Sequence, residues 1–201
     1  NKEINSLEDL QGLKMRIPGL GCEVFRRAGG IPLTMQVSEV FTAMQTGALD
    51  ATEFVSPYND MAAGYHTVAD YYYYPGWHEP GTTLETIFNK SAFEALPKDL
   101  QEILKAGTEV MNQLLMDELT AKNNEALRVL VEEHGVELRK LPDDVLAELR
   151  DISNRVVAEL ADTDEVTRRI YDSYKSFQAG VENYHSIAED AYVEARKLPS
   201  N

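Results

Sequence analysis

The stretch from Gly47 to Asp60 (GALDATEFVSPYND) limits the fold more than any other part of the chain. The run from Leu49 to Val55 is apolar and β-branched in character, carries the carboxylate of Glu53 near its end, and breaks at Ser56-Pro57 before helix-forming residues. Period and punctuation predict a buried strand, a tight turn with Pro at the first helical position, and a helix. A carboxylate near the end of a buried strand is costly unless something pairs with it. Glu53 therefore requires a cation from a side chain, a metal or a ligand.

Residues 1–90 repeat this strand-then-helix pattern. Leu13 to Ile17 predicts a strand ending at Pro18-Gly19, and Cys22 to Ala28 a helix ending at Gly29-Gly30. Ile31 to Val37 predicts a second strand, after which Ser38 caps a helix over 39–46 that Gly47 closes. Leu49 to Val55 is the third strand, and Val68 to Tyr74 a fourth, stopped by Pro75-Gly76. Such alternation implies an α/β lobe built on a mainly parallel sheet. Arg16, Glu53 and the Trp77-His78-Glu79 run all lie at or just past carboxyl ends of predicted strands. In an open α/β sheet ligands bind outside those ends, so parallel strands would point these residues at one crevice.

From residue 91 the pattern is helical, with Val136 to Leu141 as one candidate strand. The apolar stripe from Leu100 to Val131 predicts a helix of about 33 residues, roughly 50 Å long. That exceeds the width of a 90-residue lobe, so the helix must kink or bridge to another body. A further helix follows Pro142. The final one repeats Ile170, Tyr174, Phe177, Val181, Tyr184, Ala188, Ala191 and Ala195 at spacings of four and three. A 3.5-residue period suits packing along a partner helix, in this chain or in a second copy. The expected division is thus an α/β ligand-binding lobe over 1–90 and a helical region over 91–201.

Charge and cysteine content narrow the function. With 19 basic against 34 acidic residues and a net charge of -15, the chain is a poor match for nucleic acid or an anionic membrane. No apolar run approaches the ~18 residues a membrane span needs. The single cysteine, Cys22, excludes an internal disulfide and a multi-cysteine metal site. Gly19-Leu20-Gly21 lacks the third glycine of a dinucleotide loop, since position 24 is Val. The opening Asn1-Lys2-Glu3 has neither initiator Met nor signal peptide and reads as the start of a piece of something longer.

The candidate site residues admit two chemistries. Arg16 offers a guanidinium fork that matches a carboxylate, either on an organic acid or in a structural pair with Glu53 or Glu79. Glu53 and Glu79 are either a proton-transfer pair, as in a hydrolase or lyase, or hard oxygen ligands for Na⁺ or Ca²⁺ together with a strand-end carbonyl such as that of Phe54. Trp77 is a ligand-contacting wall or ordinary packing, and His78, alone in a loop, is weak evidence for a metal ligand. Asn59 and Tyr58 open a helix beside the crevice, as ligand contacts or as caps. Of Tyr71 to Tyr74, two face each side of their strand.

Three runs in order, Ser6 to Ile17 (SLEDLQGLKMRI), Glu39 to Glu53 (EVFTAMQTGALDATE) and Tyr72 to Glu79 (YYYPGWHE), resemble the extracytoplasmic solute-binding subunits of tripartite ATP-independent periplasmic (TRAP) transporters. The similarity covers nearly the whole chain and is greatest for the branch that binds 2-oxo acids, lactate and related carboxylates with a metal ion. It implies one lobe of a bilobed periplasmic-binding-protein-like fold, the carboxyl-terminal half, whose amino-terminal lobe is missing. It also implies that Arg16 clamps the substrate carboxylate, that Glu53, the Phe54 carbonyl and Glu79 hold Na⁺ or Ca²⁺, and that Trp77 forms an aromatic wall against the substrate, with Asn59 expected beside them from its place at the helix start. The implied protein is periplasmic and not an enzyme. It delivers a small organic acid to TRAP permease subunits and has the C-terminal helices available for a homodimer. Phe54 stands where relatives often carry Trp, and His78 where another aromatic is common; these departures bear on which acid is bound.

Overall fold

A computed structural model describes residues 1–79, 81 and 85–199. The chain divides into two compact units, Asn1–Arg150 and Asp151–Asn201.

The first unit is built on a three-stranded parallel sheet in the order β2-β1-β3, with β1 Lys14–Arg16, β2 Ile31–Leu33 and β3 Ala51–Thr52. Met15 pairs with Pro32 on one side and Ala51 on the other. The β1–β2 connection is α1 (Gly19–Arg27), and the β2–β3 connection is α2 (Val37–Gln45). Both helices bury an apolar stripe, Val24 and Phe25 on α1, Val40 and Met44 on α2. Ile17 and Leu49, which flank β1 and β3, are completely buried. Fully burying one such side chain is worth about 1.5–3 kcal/mol. Gly47 ends α2 at φ +74°, a left-handed conformation that a Cβ would strain. The start of α2 is earlier than predicted: Gln36, not Ser38, precedes it, and the Gln36 amide donates to Glu39 Oε2 at 3.2 Å.

After β3 come α3 (Pro57–Ala62), with Pro at its first position as predicted, a 3₁₀ turn at Tyr65–Thr67, and β4 (Tyr71–Tyr74). The predicted fourth strand of one sheet instead pairs in parallel with β5 (Glu137–Lys140), from Tyr71 opposite Glu137 to Tyr74 opposite Lys140. Between them lie α4 (Lys90–Glu94) and α5 (Lys98–Glu132), a 35-residue helix. At 1.5 Å per residue α5 is about 52 Å long. It buries Ala126 and Leu130 near its end, while Ile103, Val110, Met111, Leu114 and Met116 are exposed. Its Asn123 accepts the Tyr58 amide at 3.0 Å, capping the first turn of α3.

In the second unit, which begins within α6 (Asp143–Ala161), Ile152, Val156 and Ala161 are buried. Asp164 caps α7 (Glu165–Ile187) by accepting the Thr167 amide at 2.9 Å. The expected unbroken last helix is interrupted at Ala188 (φ -102°, ψ -90°), and α8 spans Glu189–Ala195. No Gly or Pro marks that break, so side-chain period alone runs through it. Ile170, Tyr174, Phe177 and Tyr184 of α7 are exposed.

Candidate functional site

Arg16 is the last residue of β1, and Glu53 follows β3 directly. Because Arg16 and Thr52 are register partners, the next residue is carried level with the end of β1, and the Glu53 amide donates to the Arg16 carbonyl at 3.3 Å. The guanidinium donates to Glu53 Oε1 in a short ion pair whose side chains are only 15% and 9% exposed. The cation required by Glu53 is therefore Arg16. The other carboxylate oxygen, Oε2, lies 3.4 Å from His78 Nε2. His78 and Glu79 arrive from beyond β4, and the potential ligand atoms of Glu53, His78 and Glu79 all fall within 4.8 Å of one another. Glu53 and His78 are mostly buried and Glu79 is exposed, so the cluster opens outward on one side.

This cluster lies on a cavity of about 660 Å³ lined by Glu53, Phe54, Asp60, Trp77, His78 and Glu79 among others. A cavity of that size suits a small molecule. The Phe54 ring meets Tyr65 edge-on at 5.4 Å and packs on the core of Val40, Met44 and Leu49, which leaves its backbone as the part free to bind. Trp77 stacks edge-on against His78 at 5.2 Å. Asn59 faces its own turn, where its Oδ1 accepts from Ser56 Oγ at 3.0 Å. Of the residues singled out in the sequence, Glu53, Phe54, Trp77 and Glu79 thus meet at the cavity, Arg16 joins through Glu53, and Asn59 holds a local bond.

Asp60, which sequence reasoning passed over, and Tyr72, which it named only as one of four strand tyrosines, also line this cavity. The Tyr72 hydroxyl donates to Asp60 Oδ2 at 2.5 Å. Burial raises the Asp60 carboxyl pKa above its usual range, with Tyr72 pulling the other way. Burial and the adjacent carboxylate push the Tyr72 phenol up as well. Strand alternation was the only available signal for Tyr72, and it does not say which hydroxyl finds an acid.

The clustered donors are two carboxylates, Glu53 and Glu79, which are oxygen ligands of the type Na⁺ and Ca²⁺ take, and the imidazole nitrogen of His78. His78 Nδ1 is buried without a hydrogen-bond partner among the described residues, which marks the wall as polar but incompletely satisfied. No helix among the described residues is long and apolar enough to cross a membrane.

Comparison with known proteins places this geometry. The chain is 38% identical over 191 residues, 95% of its length, to a monocarboxylate 2-oxoacid-binding periplasmic protein of Nostoc sp., of which the match covers 52%. A TRAP periplasmic solute-binding protein of Pseudoalteromonas atlantica T6c, solved with bound sodium and pyruvate, superposes with TM-score 0.90 at 37% identity, over 98% of this chain and 60% of that one. A TRAP transporter solute-binding protein of Bordetella bronchiseptica RB50, solved as a mixed-occupancy dimer with copurified calcium and picolinate, superposes with TM-score 0.92 at 32% identity, over 97% and 58%. The chain therefore spans only a little over half the length of these relatives. The family model of DctP, bacterial extracellular solute-binding protein family 7, matches residues 1–164, and the chain accordingly belongs to that family and has the fold of the TRAP periplasmic solute-binding proteins.

Proposed function

We propose that the protein from which this chain comes is the periplasmic solute-binding subunit of a TRAP transporter. It captures a small 2-oxo or 2-hydroxy acid, such as pyruvate or lactate, and delivers it unchanged to the membrane permease subunits. The observation that carries this reading is the buried Arg16–Glu53 pair at a cavity that also receives His78 and Glu79. In that site Arg16 clamps the carboxylate of the acid. Glu53, Glu79 and the Phe54 carbonyl would hold a sodium or calcium ion, whose positive charge lets acidic side chains and an anionic ligand share one cavity. Trp77 forms an apolar wall, and Asn59 turns from Ser56 to the ligand.

Residues 1–90 supply this wall of the cleft, and residues 91–201 form the helical region that spans or returns to a first lobe. The exposed apolar residues of α5 support that role. The exposed Ile170, Tyr174, Phe177 and Tyr184 of α7 supply a homodimer contact, in keeping with the dimer reported for the Bordetella relative.

Calorimetric titration of pyruvate tests the reading. Binding is expected in sodium or calcium buffer and is lost after chelation with a bulky organic cation as the only counter-ion. Undiminished binding without metal would overturn the cation bridge. Conversion of the recovered acid would overturn the absence of catalysis.

A further inference from the structure

A backbone carbonyl has no rotamer to aim it, so a site that takes one as a ligand must fix its peptide plane. The Phe54–Val55 peptide is trans, and its C=O and N–H therefore lie in one plane and point in opposite directions. Val55 N–H donates to Asp60 Oδ1 at 3.3 Å. Asp60 is itself held from two directions: its amide donates to the Ser56 carbonyl at 2.9 Å in the first turn of α3, and its Oδ2 accepts the Tyr72 hydroxyl of β4 at 2.5 Å. The Asp60 carboxylate also draws on the backbone of Ser56, as an acid near a helix start does for its cap residue, but Val55 lies one residue before the cap and its bond is not needed for that. Ser56 is the cap residue, and the unsatisfied amides of a helix lie in its first turn, after the cap. The Phe54 ring is fixed by Tyr65, so the residue is clamped at its side chain and again at its peptide.

We propose that Asp60 is a positioning residue for the cation site: through the Val55 N–H it sets the Phe54–Val55 peptide plane and so aims the Phe54 carbonyl, with Tyr72 locking the carboxylate in place. This rests on the assignment of the Phe54 carbonyl as a cation ligand. The clamp joins the end of β3 to α3 and β4, three elements that also carry Glu53, Asn59 and the approach to Glu79. Loss of a partner that orients a metal ligand typically weakens metal binding 10–100-fold.

Two measurements on the full chain test it. One is a Tb³⁺ titration sensitised by Trp77, the chain's single tryptophan, with Ca²⁺ as competitor. The other is the Ca²⁺-induced shift of the Phe54 carbonyl carbon in ¹³C NMR, which a merely structural role of Asp60 would leave intact. Asp60→Ala is expected to weaken Ca²⁺ binding about tenfold or more and to abolish the shift. Asp60→Asn keeps an acceptor for Val55 N–H and stays within about threefold of the parent. A folded Asp60→Ala variant with the shift intact and affinity within about twofold would overturn the proposal. Should Asp60→Ala not fold, Tyr72→Phe decides: a diminished shift with weaker Ca²⁺ binding supports the clamp, and no change in either overturns it. Glu53→Gln separates the two levels of inference, because unaltered Ca²⁺ affinity there would overturn the cation site itself.

Discussion

Arg16 and Arg128 are both arginines facing acid, in two regions of the same unit. Arg128, on α5, reaches Glu125 at 2.8 Å, Glu132 at 3.1 Å and Glu133 at 3.3 Å, and its side chain is 45% exposed. Arg16 has Glu53 as its ion-pair partner, with the pair almost out of water. By number of partners Arg128 is the better paired. By energy the order reverses, since exposed pairs are screened and lose side-chain entropy, whereas removing one member of a buried pair strands a desolvated charge. A chain with this much acid on its surface forms ion pairs readily. The proposed carboxylate clamp asks for the one where the dielectric is low and a charge at close range counts most.

The largest effect follows from that contrast. Arg16→Ala leaves the Glu53 carboxylate buried beside His78 and is expected to cost about 3–5 kcal/mol in urea unfolding. Replacing both partners, Arg16→Met with Glu53→Met, is expected to restore most of that stability, because a buried pair exchanged for apolar side chains is often neutral or better. Pyruvate binding should be lost in both. A double variant as unstable as the single one would mean that the pair, and not the stranded charge, holds the strand ends together.

The same contrast explains what was legible in the sequence. Leu49 to Val55 is recognisable from the trace its apolar character leaves, but the expected buried strand holds only at its start: Leu49 is fully buried, residues 50–54 are half-buried, and Val55 is exposed. Ladder bonds leave no such trace, and only Ala51–Thr52 pairs, limited by the short neighbour β1. The rule that ligands sit at carboxyl ends of parallel strands brought Arg16 and Glu53 together correctly. Trp77, His78 and Glu79 reach the cavity by another route, because β4 pairs with β5 more than sixty residues on, which local pattern cannot encode. His78 looked like a loop histidine until tertiary structure set its Nε2 3.4 Å from Glu53. Asp60 and Tyr72, twelve residues apart, were each unremarkable alone.

Asp60 extends the comparison to a partly buried acid that accepts hydrogen bonds from neutral donors, the Val55 amide and the Tyr72 hydroxyl. Its carboxyl pKa is raised in the fold, above the ~3.9 of an unfolded chain. The protonated form is therefore the one the fold favours: that contribution is full below about pH 3.9 and fades as pH rises through the folded value. Asp60→Asn, neutral throughout, should melt above the parent at about pH 7, with the gap narrowing as pH falls toward about 4. A gap independent of pH would mean that hydrogen-bond geometry, and not the burial of charge, sets the difference.

The smallest effect is expected at Arg128, and it is the sharpest check on the contrast. All three of its partners are solvent-facing, so Arg128→Ala should lower the melting temperature slightly at about 0.01 M salt. The difference should vanish at about 1 M, where the screening length falls from roughly 30 Å to 3 Å. The loss in Arg16→Ala should persist at high salt, because the stranded carboxylate is shielded by protein and not by ions. If Arg128→Ala instead cost as much as Arg16→Ala at high salt, burial would not be what distinguishes the two arginines. The low-dielectric argument for Arg16 as the carboxylate clamp would then fail with it.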